Sequence, residues 1–249
     1  IGEIGGTSVE TVTLDAGTGT TSVGVIGSGT EIGTLSIGSA ENGGITLNGA
    51  ITTDGVVTLD GPITLATAAI TITTADDNIN LQGTVDGGKA LTLASGSGDV
   101  TVDGAIGSST ALTSLTVNSS GTGTIEITNI GTASASGVTG ATAIGNTNTG
   151  TLTLDGTVYT TNAATYTAAT GENIDLTGGA TTTFTSSNDD ITFGTATVEM
   201  ANGSNLKIDT DTLGGAIDLA GGVMGTSSEN ITLTAGTGTV AIGAVGTGT

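Results

Sequence analysis

Aliphatic and polar residues alternate along this chain in short bursts, and the bursts recur. The unit is aliphatic, polar, aliphatic, then Asp, Asn, Gln or a small residue, then Gly. Full copies are Ile45-Thr46-Leu47-Asn48-Gly49, Val57-Thr58-Leu59-Asp60-Gly61, Ile79-Asn80-Leu81-Gln82-Gly83, Val100-Thr101-Val102-Asp103-Gly104 and Leu152-Thr153-Leu154-Asp155-Gly156. Shorter copies are Val12-Thr13-Leu14, Ile174-Asp175-Leu176, Ile191-Thr192-Phe193, Ile217-Asp218-Leu219 and Ile231-Thr232-Leu233. A second aliphatic often follows the Gly by two residues, as at Ile51, Ile63, Val85, Ile106 and Val158. Starts fall about every 9 to 12 residues, and the strong copies at Val57, Ile79 and Val100 are 21 to 22 apart.

Period-two alternation predicts short strands with the aliphatics on one face and Thr on the other. β-branched residues suit that pleated surface. The Asp-Gly pairs Asp54-Gly55, Asp60-Gly61, Asp86-Gly87, Asp103-Gly104 and Asp155-Gly156 read as turns with a positive φ at the glycine. No segment has a helical period, so the chain is all-β. Because the motif repeats as sequence, the pattern favours a right-handed parallel β-helix, a β-solenoid, over the alternative of tandem β-sandwich domains. About a dozen coils at the strand spacing would make a rod about 55 to 60 Å long. Stacked outward Thr would form hydroxyl ladders from coil to coil.

Residues 1–249 read as a single continuous repeat domain. The pattern thins at 131–150, which predicts an irregular excursion, and exposed excursions are where rods carry contacts. Ile1-Gly2-Glu3-Ile4 and Gly246-Thr247-Gly248-Thr249 read as mid-pattern sequence, as in a fragment or a processed, repeating subunit.

Composition narrows the chemistry. Gly (45) and Thr (56) make up about two-fifths of the chain, yet the mean hydropathy of +0.29 leaves ample aliphatic residues for a core. The formal charge is -21, with 23 acidic residues against Lys89 and Lys207. That balance excludes nucleic acid, which needs cations to displace phosphate counterions. No apolar run is long enough for a membrane-spanning helix, so membrane insertion is not expected. With no His or Cys, Ser-His and Cys-His nucleophile pairs and the usual zinc, haem and iron–sulfur sites are ruled out.

The acidic pairs Asp76-Asp77 and Asp189-Asp190 are candidate Ca²⁺ ligands, since Ca²⁺ takes six to eight oxygens; good turn chemistry is the competing reading. No other cofactor is implied, and no catalytic residue is assigned. Paired carboxylates could cleave glycosides, as in polysaccharide-active β-helix enzymes, but no Trp or Arg is present to grip a sugar. Asn118, Asn202 and Asn230 open N-glycosylation sequons. Lys207, between Leu206 and Ile208, takes an outward position. Tyr159 and Tyr166 read as capping or edging a coil.

The units from Ile45 to Ile106 and from Leu152 to Phe193 resemble repeats of large bacterial surface exoproteins, the filamentous-haemagglutinin-like and autotransporter-type adhesins. The resemblance implies a β-helical rod, export, and adhesion or surface coating. On it, the chain is expected to be a non-catalytic structural or adhesive protein of the cell surface. Its partners would be other copies of itself or a longer parent chain, cell-surface glycans and divalent cations. The alternatives are a self-assembling subunit of an extracellular filament, sheath or surface layer, and a polysaccharide-active enzyme.

Overall fold

The computed structural model describes all residues except 1, 8, 40–42, 68, 120–121, 136 and 248–249. Every named strand pairs in parallel with a strand of an adjacent turn, and no helix is present among the described residues. The chain winds into a β-solenoid whose turns have up to three flat faces. Face 1 is an eleven-stranded sheet running from Thr11–Leu14 to Val245–Thr247. Face 3 has nine strands, from Ile51–Thr53 to Val240–Ile242. Face 2 has two four-stranded blocks, Thr20–Val23 to Val85–Asp86 and Val158–Thr160 to Ile231–Thr234. Between these blocks face 2 narrows to single-residue bridges through Ile106 and Ile130, each followed by a glycine with positive φ, Gly107 and Gly131.

Register explains the repeat. On face 1 one interior column runs Val12, Leu35, Val57, Ile79, Val100, Ile125, Leu152, Ile174, Val198, Val223 and Val245. From Leu35 to Val223 every member is buried. A slip of one residue would turn each pair of aliphatics outward, so the pattern fixes the stacking. The steps range from 21 residues (Ile79 to Val100) to 27 (Ile125 to Leu152). The longer turns reduce the expected dozen coils to the ten turns bracketed by the eleven strands of face 1.

The corners hold what the alternation leaves over. Thr53, Thr74, Ser95 and Ser119 point inward with the aliphatics where face 3 gives way to face 1, and Ser186 and Thr210 do so between faces 2 and 3. Each hydroxyl donates to a carbonyl of its own turn: Ser95 to Gly98 at 2.7 Å, Ser119 to Gly123 at 2.9 Å and Thr210 to Gly215 at 2.6 Å, with Thr74 and Ser186 bonded likewise to Asp77 and Asp189. A buried hydroxyl costs little when so paired.

The Asp-Gly corners depart from expectation. Gly61 (136°) and Gly87 (135°) have the expected positive φ, but Gly55, Gly104 and Gly156 do not. They are glycines because the turns approach too closely there for a side chain. A Cβ on Gly104 would lie 2.2 Å from the carbonyl carbon of Gly83, and one on Gly156 only 1.3 Å from the Thr128 oxygen.

The aromatic residues are interior, not capping. Tyr159 stacks on Phe184 at 4.9 Å and Tyr166 on Phe193 at 5.1 Å, with edge contacts between the pairs. Small buried residues (Thr142, Ala164, Ala168, Ala196) lie in the same stretch of the coil, and the rings supply the volume they leave. Tyr159 takes the inward position expected of Val158, which faces outward in line with Thr183. Its hydroxyl donates to the Ile127 carbonyl at 2.8 Å and accepts the Gly156 N–H at 3.0 Å. Burial pushes both tyrosine hydroxyls above their ordinary pKa.

The irregular excursion is shorter than the expected 131–150. Thr132 and Ala135 form a small antiparallel bridge, and the chain is back in register at Val138, which is buried and bridged to Leu112. Thr142–Ile144 is an ordinary strand of face 3.

Candidate functional site

With the interior filled by aliphatic columns, chemistry is confined to the outer faces, and the three differ. Face 1 is acidic. Its outward column runs Thr101, Glu126, Thr153, Asp175, Glu199, so Asp175 and Glu199 are direct neighbours on paired strands. Asp103 and Asp155 directly follow two of the buried positions, Val102 and Leu154. Like charges so placed repel. Partial burial, then Asp155 and Asp103, hold the Glu126 carboxyl above its usual range; partial burial, then Glu199 and Glu172, do the same for Asp175.

Face 3 carries no charge on its outward positions from Ile51–Thr53 to Ala164–Tyr166. Thr71, Thr92 and Thr116 align across three strands, and Thr52 aligns with Thr73. The outward Thr expected from the alternation are thus in register from coil to coil.

The candidate Ca²⁺ ligands are not brought together. Asp76 and Asp77 lie at a corner between faces 3 and 1; Asp189 and Asp190 lie several turns on, at a corner between faces 2 and 3. The side chains of Asp76 and Asp190 and the carbonyls of Asp77 and Asp189 serve the turns. Asp76 accepts the Ser97 N–H at 2.9 Å, which holds its pKa below the usual value, and Asp190 accepts the Ala216 N–H at 2.7 Å. Asn78, Asp86, Asp99 and Asn188 accept N–H groups of the following turn in the same way. Acidic and amide residues at corners therefore hold one coil to the next. Among the described residues no three carboxylates gather in metal-binding geometry. Of the sequons, that at Asn118 includes Ser120, outside the described residues. Asn202 accepts the Ser227 hydroxyl at 3.0 Å, and Asn230 bonds Asn205 through its N–H at 2.8 Å.

Face 2 carries a feature that the other faces lack. Where its second block begins, residues 131–135 rise from the preceding turn and form a wall over the outer surface. Beneath it lies a cavity of about 480 Å³, lined by Ala133, Ser134 and Ala135 above and by outward residues of three successive strands below. The floor has two columns: Val158, Thr183, Lys207 and, two residues along, Thr160, Thr185, Asp209. Lys207 Nζ lies 3.6 Å from Asp209 Oδ2, and both side chains are partly exposed. The wall is tied down: Gly137 N–H donates to the Thr160 carbonyl at 2.8 Å, Thr160 Oγ1 to the Thr132 carbonyl at 3.2 Å, and Thr132 N–H to the Ala135 carbonyl at 2.9 Å. Lys207 is outward, as its place between two aliphatics required. Thr183, Thr185 and Asp209 had no sequence signal of their own beyond alternation.

Two further openings, lined by Leu14, Thr20 and Thr21 and by Met200, Val223, Ile231 and Val245, are where the interior meets solvent at the first and last turns. Val240, Ile242 and Val245 of the last turn are exposed. Compared with family models, curated proteins and solved structures, the chain matches none.

Proposed function

We propose that this chain is a non-catalytic segment of a β-solenoid rod at a cell surface, serving as a spacer and as a contact surface. The carrying observation is the buried column that runs without a break from Leu35 to Val223. Each turn packs only on its neighbours, so such a stack transmits length and stiffness and leaves all variable chemistry outside. Ten turns at the strand spacing span about 50 Å. The extracellular placement rests on the resemblance of the repeats to those of exported surface exoproteins. The acidic face 1 supports solubility and separation of neighbouring rods, and divalent cations would bridge them.

Immunogold labelling of intact source cells with an antibody against the chain tests the reading. Label on the outer surface is expected, and label confined to the cytoplasm overturns it. Assays on neutral and acidic polysaccharides are expected to give no turnover.

The second reading is assembly end to end: the last described turn presents exposed Val240, Ile242 and Val245, which another copy or a following turn of a longer parent chain would cover. Open parallel edges without charge accept further strands readily. Light scattering across a concentration series distinguishes the two: growth in mass favours assembly, and a constant monomer mass counts against it.

A further inference from the structure

The cavity on face 2 has the makings of a recognition site. Its floor strands Val158–Thr160, Thr181–Thr185 and Asn205–Asp209 are paired on both sides, through Ile130 at one edge and Ile231–Thr234 at the other. Their backbone groups are committed to the sheet, so a peptide cannot add as a further strand here. Recognition falls to side chains, and these are hydroxyls, one ammonium and one carboxylate, with apolar atoms only from Val158, two alanines and threonine methyls. A ligand that suits them offers many hydroxyl groups and little apolar surface.

Charge narrows the class. The molecule carries -21, and Asp209 stands in the cavity, so an anionic ligand is repelled both at distance and on contact. Lys207 disfavours a cationic one. Lys207 and Asp209 are alternate residues of one strand and so share its outer face. A donor and an acceptor at that separation match two adjacent hydroxyls of a sugar ring, one accepting from the ammonium and the other donating to the carboxylate. The volume of about 480 Å³ falls within the range of small-ligand sites.

We propose that this shelf binds a neutral saccharide through a pair of adjacent ring hydroxyls, with Lys207 and Asp209 as the polar clamp and the wall of residues 131–135 as the stop. The proposal rests on the reading of the chain as a contact surface. It gives that surface a location and a ligand class.

Saturation-transfer NMR on the full chain, with a panel of neutral, uronic-acid and amino-sugar oligosaccharides, tests it. At least one neutral member is expected to bind. Lys207→Ala, Asp209→Ala and Thr183→Val are each expected to weaken that binding tenfold or more. Thr58→Val, the same type of change on face 1, should leave it unchanged. All four positions are outward strand residues, and matched melting curves confirm that the fold is intact. No binding by any neutral sugar, or preference for the uronic acids, overturns the proposal. Binding that persists in all three shelf variants also overturns it, while leaving the contact-surface reading standing. That reading fails separately, by the cytoplasmic label described above.

Discussion

Replacing Gly156 with Ala puts the stacking geometry to its sharpest test. The Gly156 φ lies outside the left-handed region, so backbone preference alone predicts little penalty. The neighbouring turn predicts a large one. The new Cβ would lie 1.3 Å from the Thr128 oxygen, 2.4 Å from its carbonyl carbon and 2.5 Å from Asn129 Oδ1. None of these can swing aside freely. Asn129 Oδ1 accepts the N–H groups of Thr157 and Val158 at 3.0 Å each, and the Thr128 carbonyl is bonded by Tyr159 at 3.0 Å. The two turns must separate, which strains the bond from Gly156 N–H to the buried Tyr159 hydroxyl. Overpacking costs about 1 to 3 kcal/mol, and a buried polar group left without its partner about 1 to 3 kcal/mol more. For a chain of this length that is a fall in melting temperature of roughly 5 to 20 °C. The assay is thermal unfolding followed by far-ultraviolet circular dichroism, with Gly5→Ala as the control. A Cβ at Gly5 meets only the Ser28 oxygen at 3.6 Å, so that variant should stay within about 0.5 kcal/mol of the parent. A Gly156→Ala protein that melts with the parent, or a Gly5→Ala protein that melts as low as Gly156→Ala, refutes the close-approach argument.

Other substitutions probe the aromatic cluster and the charged positions. Phe184→Ala opens a cavity between Tyr159, Tyr166 and Phe193 and should cost about 3 to 5 kcal/mol in chemical denaturation; Phe184→Leu should cost clearly less. Glu126→Gln and Asp175→Asn should raise the melting temperature at neutral pH. Their folded-state pKa values are raised, so their contribution is fully present below the ordinary carboxylate range and is lost as pH rises through the folded value. The gain of both variants should therefore shrink on acidification, and a gain independent of pH would contradict the repulsion argument. Glu229→Gln should do the reverse. Hydrogen bonds led by the Ser227 N–H pull Glu229 down to about 2, so its contribution is present above its unfolded value and fades as pH falls toward 2. A melt of that variant equal to the parent's at neutral pH would rule this out.

Most of the fold was legible because the repeat is physical before it is structural. Val57, Ile79 and Val100 announce a stacked column by spacing alone, and the registers pair them as read. What escaped was whatever depends on the neighbouring turn rather than on local sequence. Gly104 and Gly156 follow Asp and so look like turn glycines, but the carbonyl that excludes a side chain comes from the coil before. Tyr159 sits one place after an aliphatic that local alternation would bury. The interior prefers the ring, because Phe184 and the Ile127 carbonyl wait for it there. Thr53, Thr74 and Ser95 stand two residues after Ile51, Ile72 and Leu93 and so share the inward phase. Alternation carries that information, and only the corner carbonyls explain why a hydroxyl is tolerated inside.

The same stacking limits where recognition can occur. A column of identical residues offers a ligand the same contacts at every turn, so a uniform ladder such as Thr71, Thr92 and Thr116 defines a direction but no position. Specific binding to a solenoid needs a place where the translational repeat is broken. Face 1 varies among hydroxyl, amide and carboxylate along its outward column, Thr58, Asn80, Thr101, Glu126, Thr153, Asp175 and Glu199, on a flat sheet. The floor of face 2 changes residue type at each step of one column, Val158 to Thr183 to Lys207, and at the last step of the other, Thr185 to Asp209, and the wall of residues 131–135 closes it on one side. Loss of the wall alone would let a ligand slide along the columns, and loss of the Lys207–Asp209 pair alone would remove its anchor. The two substitutions at the clamp should thus lower affinity. Replacing the wall of residues 131–135 with a short turn should instead broaden the range of sugars bound, and equal affinity losses without broadening would show that the wall does not select.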